Sequence, residues 1–190
     1  MGSSTKAKEL LAQSFGFREK KAFVFMTNRI EVERAIAASP SQVFDVISDP
    51  AGHVKIDASG MLMSASGPRP VEVGDRFEVE MDRDSLRDMD LGEYKVTVVI
   101  ETFVEDTEIA WSIDGVMQPP IGHIYGYRMQ EIEGGTLVTS YYDWSNTHPQ
   151  HAELVETLFP IISESHLLAT LGILARTVAP GKRRPAVPKG

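Results

Sequence analysis

Residues 30–44 read IEVERAIAASPSQVF, and they carry the strongest signals of local structure in the chain. Its first seven residues alternate between two faces, one of them mostly apolar, which is the period-two pattern of a strand. Ser39 and Gln42 then form a capping box around Pro40, which predicts the start of a helix. A strand that leads directly into a short helix is therefore the predicted opening of the domain.

The chain that follows predicts one more short helix and then a series of strands. Asp49 and Pro50 repeat the cap-then-proline signal, and the second short helix carries His53. Gly134 and Gly135 predict a hairpin between two of the later strands. Strands are predicted over 61–64, 76–81, 94–104, 108–113, 121–133 and 136–144, and neighbours in such a series usually pair antiparallel.

A long helical stretch ends the pattern. Residues 151–178 carry an apolar stripe at helical spacing that includes Leu168, and Pro160 inside it should kink or split the helix. The order of the elements predicts an α+β fold, in which a curved antiparallel sheet of about six to seven strands wraps around this C-terminal helix. Because a strongly curved sheet leaves a central space that side chains do not fill, an internal ligand cavity is the first functional hypothesis.

Residues 30–44, VGDRF at 73–77 and GTLVT at 135–139 resemble strings of the SRPBCC superfamily, which includes START domains, the major pollen allergens, and the polyketide cyclase/dehydrase and lipid-transport group. Residues 30–44 resemble its opening strand and its "Pro-x-x-Val-Phe" helix. VGDRF at 73–77 is similar to its "Val-Gly-x-x-Phe" strand start, and GTLVT at 135–139 to its late "Gly-Thr-x-Val-Thr" strand. The resemblance covers about residues 28–178. It implies a helix-grip fold with a hydrophobic cavity, but its members range from carriers and sensors to cyclases.

The chain divides into three predicted segments with opposite charges. Residues 1–25 form a leader of unknown role, 26–178 a START-like ligand-binding domain, and 179–190 a basic, Pro-rich tail predicted to be disordered. The formal net charge is −8, and the two ends carry +3 and +4, which leaves −15 on the body. A body this acidic repels phosphate backbones, so no nucleic-acid partner is predicted.

Composition excludes other classes of protein. The chain has no cysteine, so it has no disulfide framework, thiol nucleophile or cysteine-ligated metal. No run of residues is long and apolar enough for a membrane span, and a cytoplasmic location is predicted. Hydrolase elbows, zinc-protease motifs, phosphate-binding glycine loops and dinucleotide fingerprints are all absent. The oligomeric state is left open, with a dimer as one option.

The predicted ligand-binding face is apolar but unusually rich in Tyr, His and Met. Along the strand predicted at 121–133, His123, Tyr125 and Tyr127 share one face, and Arg128 marks the solvent side. The other interpretation of these side chains is a hydrogen-bonded polar core. The residues predicted to contact the ligand are Phe77, Val79, Met81, Trp111, His123, Tyr125, Tyr127, Tyr142, Leu154, Leu158 and Ile162. Alternation leaves open which face of the strand at 136–144 points inward.

Two functions follow from such a cavity. The first is binding of a small hydrophobic molecule, lipid-like or aromatic and polyketide-like. The alternative is a polyketide cyclase or dehydratase, in which His123 is the acid or base and Asp57 and Tyr125 orient it or polarise a carbonyl. No cofactor is predicted. His148 and His151 lack a clear third ligand, so no metal is predicted either.

Two surface segments carry further predictions. The acidic run at 82–90 misses the calcium-loop spacing and is predicted to be a solvated hairpin tip. The beginning of the long helix, 151–159, and the loop at 114–120 are predicted to form a movable entrance to the cavity, with the polar loop 146–150 as the hinge.

Overall fold

The computed structural model describes residues 28–187, so the leader and the last three residues of the tail lie outside the described residues. Seven strands form one sheet. They are β1 Arg29–Ile36, β2 Leu62–Ser66, β3 Arg76–Asp82, β4 Glu93–Val104, β5 Glu108–Asp114, β6 Ile124–Ile132 and β7 Gly135–Asp143.

Two short helices follow β1, as predicted. They are α1 Pro40–Ile47 and α2 Pro50–Ile56. The capping box is present, because the Ser39 hydroxyl accepts a hydrogen bond from the Gln42 amide at 3.3 Å and the Gln42 side chain accepts one from the Ser39 amide at 3.1 Å. The Asp49 carboxylate caps α2 in the same way, by accepting from the amide of Ala51.

The sheet is antiparallel throughout, with the order β1-β7-β6-β5-β4-β3-β2. The first strand pairs with the last, and β1 and β2 form the two edges of the sheet. The last helix, α4 Glu164–Val178, packs against β1 and β7, while α2 packs against β2. The predicted α+β architecture, a curved antiparallel sheet around a C-terminal helix, is confirmed.

The core lies between the sheet and the helices. Its fully buried side chains come from β1, α1, inner strands of the sheet and α4; they include Ile36, Val43, Ile47, Ile100, Ile109, Val138, Leu171 and Leu174. Burial of this apolar surface is the main force that holds the helices in the concave side of the sheet.

The C-terminal helix is split and not merely kinked. A short 3-10 turn at Pro149–His151 leads into α3 Ala152–Leu158, and the chain then leaves helical geometry before α4 begins at Glu164. Pro160 falls in this break, because it has no amide hydrogen to donate and its ring clashes with the preceding turn. The Ser163 hydroxyl caps the new helix by accepting from the His166 amide. The predicted apolar stripe is wrong at Leu168, which is 44% exposed.

A bulge in β4 also changes the predicted pattern. The pairing with β5 shifts register between Ile100 and Thr102. Beyond the bulge, Phe103 points inward and its ring centroid lies 5.4 Å from that of Phe44. Two-residue alternation along 94–104 predicts that Val104 shares the inward face with Ile100, and this prediction is wrong because the Val104 side chain is 51% exposed.

The two faces of β7, which alternation alone does not distinguish, have different surroundings. Val138, Ser140 and Tyr142 point to the core and are buried. Tyr141 points to the opposite side of the sheet, where the guanidinium groups of Arg29 and Arg128 lie 4.4 and 5.4 Å from its ring centroid. The tail at 182–187 has no helix or strand, and its disorder stays a prediction.

Candidate ligand-binding site

A cavity of about 210 Å³ lies between the concave face of the sheet and the helices. Because one water takes up about 30 Å³ in the liquid, the cavity exceeds the room that a few waters need. Its wall is mostly apolar. The apolar part includes Ile56, Met61, Leu62, Val79, Met81, Val96, Val98, Trp111, Ile113, Leu154, Leu158, Phe159, Ile161, Ile162 and Leu167.

All but two of the residues predicted to contact a ligand line this cavity. They are Val79, Met81, Trp111, His123, Tyr125, Tyr127, Leu154, Leu158 and Ile162. The other two lie behind the wall. Phe77 packs against the ring of His53 with 5.1 Å between centroids, and Tyr142 stacks on Tyr125 at 4.3 Å. Ligand contact by the lining residues stays a prediction.

His123 sits just before β6, where aromatic rings surround its imidazole. The rings of Tyr125, Tyr142 and Phe159 lie 5.4 to 5.7 Å from it, all edge-on. Its buried Nδ1 has no hydrogen-bond partner among the described residues. Burial, with a smaller effect of the nearby Arg83 charge, lowers the pKa of His123 to about 4. The imidazole is therefore neutral at neutral pH.

A second buried histidine, to which the sequence assigns no role at the site, also lines the cavity. His53, on α2, lies edge-on against Trp111 with 4.6 Å between ring centroids. Its Nε2 is buried without a partner in the described part of the chain. Burial lowers the pKa of His53 to about 4 as well. The cap-then-proline signal places this residue on a helix, but no pattern in the sequence shows that the helix faces a cavity.

The tyrosines of β6 also have shifted acidity. Burial raises the pKa of Tyr125 and of Tyr127 above the ordinary value of a phenol. Both hydroxyls therefore stay protonated and polar within an otherwise apolar wall.

Asp57 lines the cavity, but its carboxylate is already occupied. One oxygen accepts from the amide and the hydroxyl of Ser59, at 2.9 and 2.7 Å, and the other accepts from the amide of Leu62 at 3.1 Å. These bonds fix the turn between α2 and β2. Asp57 thus has a structural role that the sequence does not indicate.

The acidic run at 82–90 connects β3 to β4 and is mostly exposed, as predicted for a solvated hairpin tip. One side of it faces the cavity, however, where Arg83, Met89 and the following Leu91 line the wall. The side chain of Arg83 is only 5% exposed, and its guanidinium is paired with the Asp88 carboxylate. Periodicity cannot reveal this, because a charged loop has the same composition whether one arginine is buried or not.

Solved structures with this architecture have low sequence identity to the chain. Protein CV1439 of Chromobacterium violaceum is 16% identical, with a TM-score of 0.56, over 80% of this chain and 98% of that one. The Aha1 protein of Colwellia psychrerythraea, solved as a dimer, is 16% identical, with a TM-score of 0.50, over 81% and 98%. DynU16, from the dynemicin biosynthetic locus, is 14% identical, with a TM-score of 0.51, over 82% of this chain and 48% of that one.

The chain has the helix-grip fold that the resemblance to the SRPBCC superfamily implies. No protein-family model and no curated protein matches it. At this level of identity, the helix-grip likeness establishes the fold and leaves the activity to be argued from the cavity itself.

The predicted entrance of this helix-grip domain borders the cavity. Leu154 and Leu158 of α3 line it together with Val116 and Met117 of the facing loop. A hydrogen bond of 2.7 Å joins Nε2 of His151 to the Pro119 carbonyl and links the two segments. Movement of this entrance stays a prediction.

Residues 28–187 contain neither a metal cluster nor a membrane-spanning helix. No group of three or more His, Asp or Glu in that range is placed to hold a metal ion. Within the same range, no helix is long and apolar enough to cross a membrane.

Proposed function

We propose that this protein binds a small hydrophobic molecule, aromatic or lipid-like, inside the helix-grip cavity. The observation that supports the proposal most directly is a 210 Å³ space with a mostly apolar wall and a few polar groups in it. This combination is typical of ligand pockets, in which apolar contact supplies affinity and a few polar groups fix orientation.

We infer binding in preference to acid–base catalysis from the state of the two candidate groups. A general base works best when its pKa is near the working pH, whereas the pKa of His123 is about 4. The Asp57 carboxylate, for its part, accepts three hydrogen bonds from its own turn. The cyclase or dehydratase alternative therefore has weaker support than binding.

The two tryptophans make the proposal testable by fluorescence. Trp111 lines the cavity, while Trp144 packs behind it, against Tyr142 and Phe159. In a Trp144→Phe background, emission reports on Trp111 alone. Titration with naphthalene derivatives, anthracene-type aromatics and medium-chain fatty alcohols is expected to change this emission in a saturable way.

A matched pair of variants shows whether binding occurs in the cavity. Val79→Phe adds a ring to the cavity wall, and Val104→Phe makes the same change at an exposed position of the sheet. Val79→Phe is expected to weaken binding, and Val104→Phe to leave it unchanged. Equal affinity of both variants for every compound that binds, or no binding by any compound, would refute the proposal.

A further inference from the structure

Arg83 is a buried charge held in one orientation at the cavity wall. Its Nε and Nη2 donate to the two carboxylate oxygens of Asp88, at 2.8 and 2.7 Å. A two-point bond of this kind fixes the plane of the guanidinium as well as its position. Its Nη1 lies against the Tyr94 hydroxyl and the Met61 sulfur, and both of these residues line the cavity together with Arg83.

Arg83 has more donors than the protein uses. A guanidinium carries five N–H groups. Two donate to Asp88, and a third donates from Nη1 to the Tyr94 hydroxyl at 3.2 Å. A fourth faces only the sulfur of Met61, at 4.0 Å, and the last has no acceptor among residues 28–187.

Tyr94 brings a second free donor to the same place. Its oxygen accepts from Arg83, so its own hydrogen is left to donate, and it too has no acceptor in the described chain. Tyr94 also lines the cavity. The wall therefore holds an unused N–H of Arg83 and an unused O–H of Tyr94 on two residues that contact each other, and most of the remaining wall is apolar.

We infer that Arg83 and Tyr94 form a binding site for the carbonyl oxygen of an otherwise apolar ligand, an inference that rests on the proposed binding function. A carbonyl oxygen has two lone pairs and can accept from both donors. A donor that a bound ligand shields from water costs free energy unless it gains an acceptor, so a ligand that supplies the oxygen gains affinity over one that does not.

The charges around the site favour a neutral carbonyl over a carboxylate. The Asp88 carboxylate already balances the charge of Arg83. The carboxylate of Asp57 also lines the cavity. An anionic ligand would lose its own hydration and meet no uncompensated positive charge, whereas a ketone avoids that cost.

Three ligands of nearly equal shape test the inference by isothermal titration calorimetry. In 2-acetylnaphthalene, 2-isopropenylnaphthalene and 2-naphthoate, the same ring system carries a ketone, a methylene in place of the oxygen, and a carboxylate. The wild-type protein is expected to bind the ketone about tenfold or more tightly than the other two, because a hydrogen bond from a charged donor contributes at least that factor.

Variants assign the preference to this site. Tyr94→Phe and Arg83→Met are each expected to reduce the preference for the ketone over the isopropenyl compound. Asp88→Asn keeps an acceptor for Arg83 but removes the balancing charge, so it is expected to tighten naphthoate binding about tenfold. Tyr94→Phe keeps the inference testable if Arg83→Met does not fold.

Failure of this inference differs from failure of the proposed function. Equal wild-type affinity for the ketone and the isopropenyl compound would overturn the carbonyl site and leave cavity binding intact. The carbonyl site is also overturned if other apolar compounds bind and none of these three does. If no apolar compound binds at all, the binding function fails and the carbonyl site fails with it.

Discussion

Replacement of His53 by Phe should make the protein markedly less sensitive to acid. Burial lowers the pKa of His53 to about 4 from the ordinary value of 6.5. The unfolded chain therefore binds the proton more tightly than the folded chain. As the pH falls through this interval, protonation of the unfolded chain lowers the free energy of unfolding.

The size of the effect follows from the two pKa values. One pKa unit corresponds to about 1.4 kcal/mol, so the full effect of His53 is about 3 kcal/mol and is reached below the folded pKa. By about pH 5 the loss is about 2 kcal/mol, a large part of the 5–15 kcal/mol that is usual for a domain. Phe has no charge to acquire, and it can keep the edge-on contacts of His53 with Phe77 and Trp111.

Urea unfolding at about pH 7.5 and about pH 5 measures this loss for each protein. Circular dichroism is the right signal, because Trp111 lies 4.6 Å from His53 and its fluorescence would respond to the proton directly. Each protein gives one difference in the free energy of unfolding between the two pH values. Carboxylates that titrate in this range contribute equally to both differences, so comparison of the two proteins isolates the contribution of His53. If wild type and His53→Phe lose the same free energy between the two pH values, the buried, neutral state of His53 is refuted.

Two further predictions concern the sheet and the entrance. Gly126→Ala places a Cβ about 2.3 Å from the ring of Tyr141, which the Glu108 carboxylate and two arginines hold in place. We expect this substitution to lower the free energy of unfolding, measured with urea, by about 1–3 kcal/mol. The control is Gly172→Ala on α4, where the added Cβ meets nothing within 4 Å and should raise the free energy of unfolding by up to about 1 kcal/mol. If both variants are less stable than wild type, the close approach to Tyr141 is not the cause. Because α3 has no buried residue, its amides should exchange hydrogen faster than those of α4. Bound 2-acetylnaphthalene should lower the exchange rate of the α3 amides. Slow exchange in both the free and the bound state would contradict the movable entrance.

Most of the fold could be predicted because its signals are local. The capping box at Ser39, the prolines after the caps and the two-residue alternation of the strands depend on neighbours in sequence. The predicted inward face of β4 was wrong where this strand contains one added residue. The bulge after Ile100 moved Phe103 into the core and Val104 out of it, and alternation contains no signal for an extra residue.

The part of the candidate site that lies on strands followed from the same alternation, but the part that lies on a loop and a short helix did not. Val79, Tyr125 and Tyr127 occupy inward positions of regular strands, so they could be assigned in advance. Arg83 and His53 belong to a loop and a short helix, where no period relates a residue to a face. Their burial depends on how these segments fold over the sheet, which is a tertiary property.

The placement of buried polar atoms without partners gives a separate reason to connect the cavity with function. Nδ1 of His123 and Nε2 of His53 belong to side chains of the cavity wall, and each costs the folded protein free energy. A core that only had to be stable could replace both rings with apolar ones of similar size. A ligand that binds only the folded state raises the free energy of unfolding by mass action, so occupancy of the cavity would offset part of this loss of stability. The stability of the free protein and its affinity for a ligand are therefore coupled through the same wall.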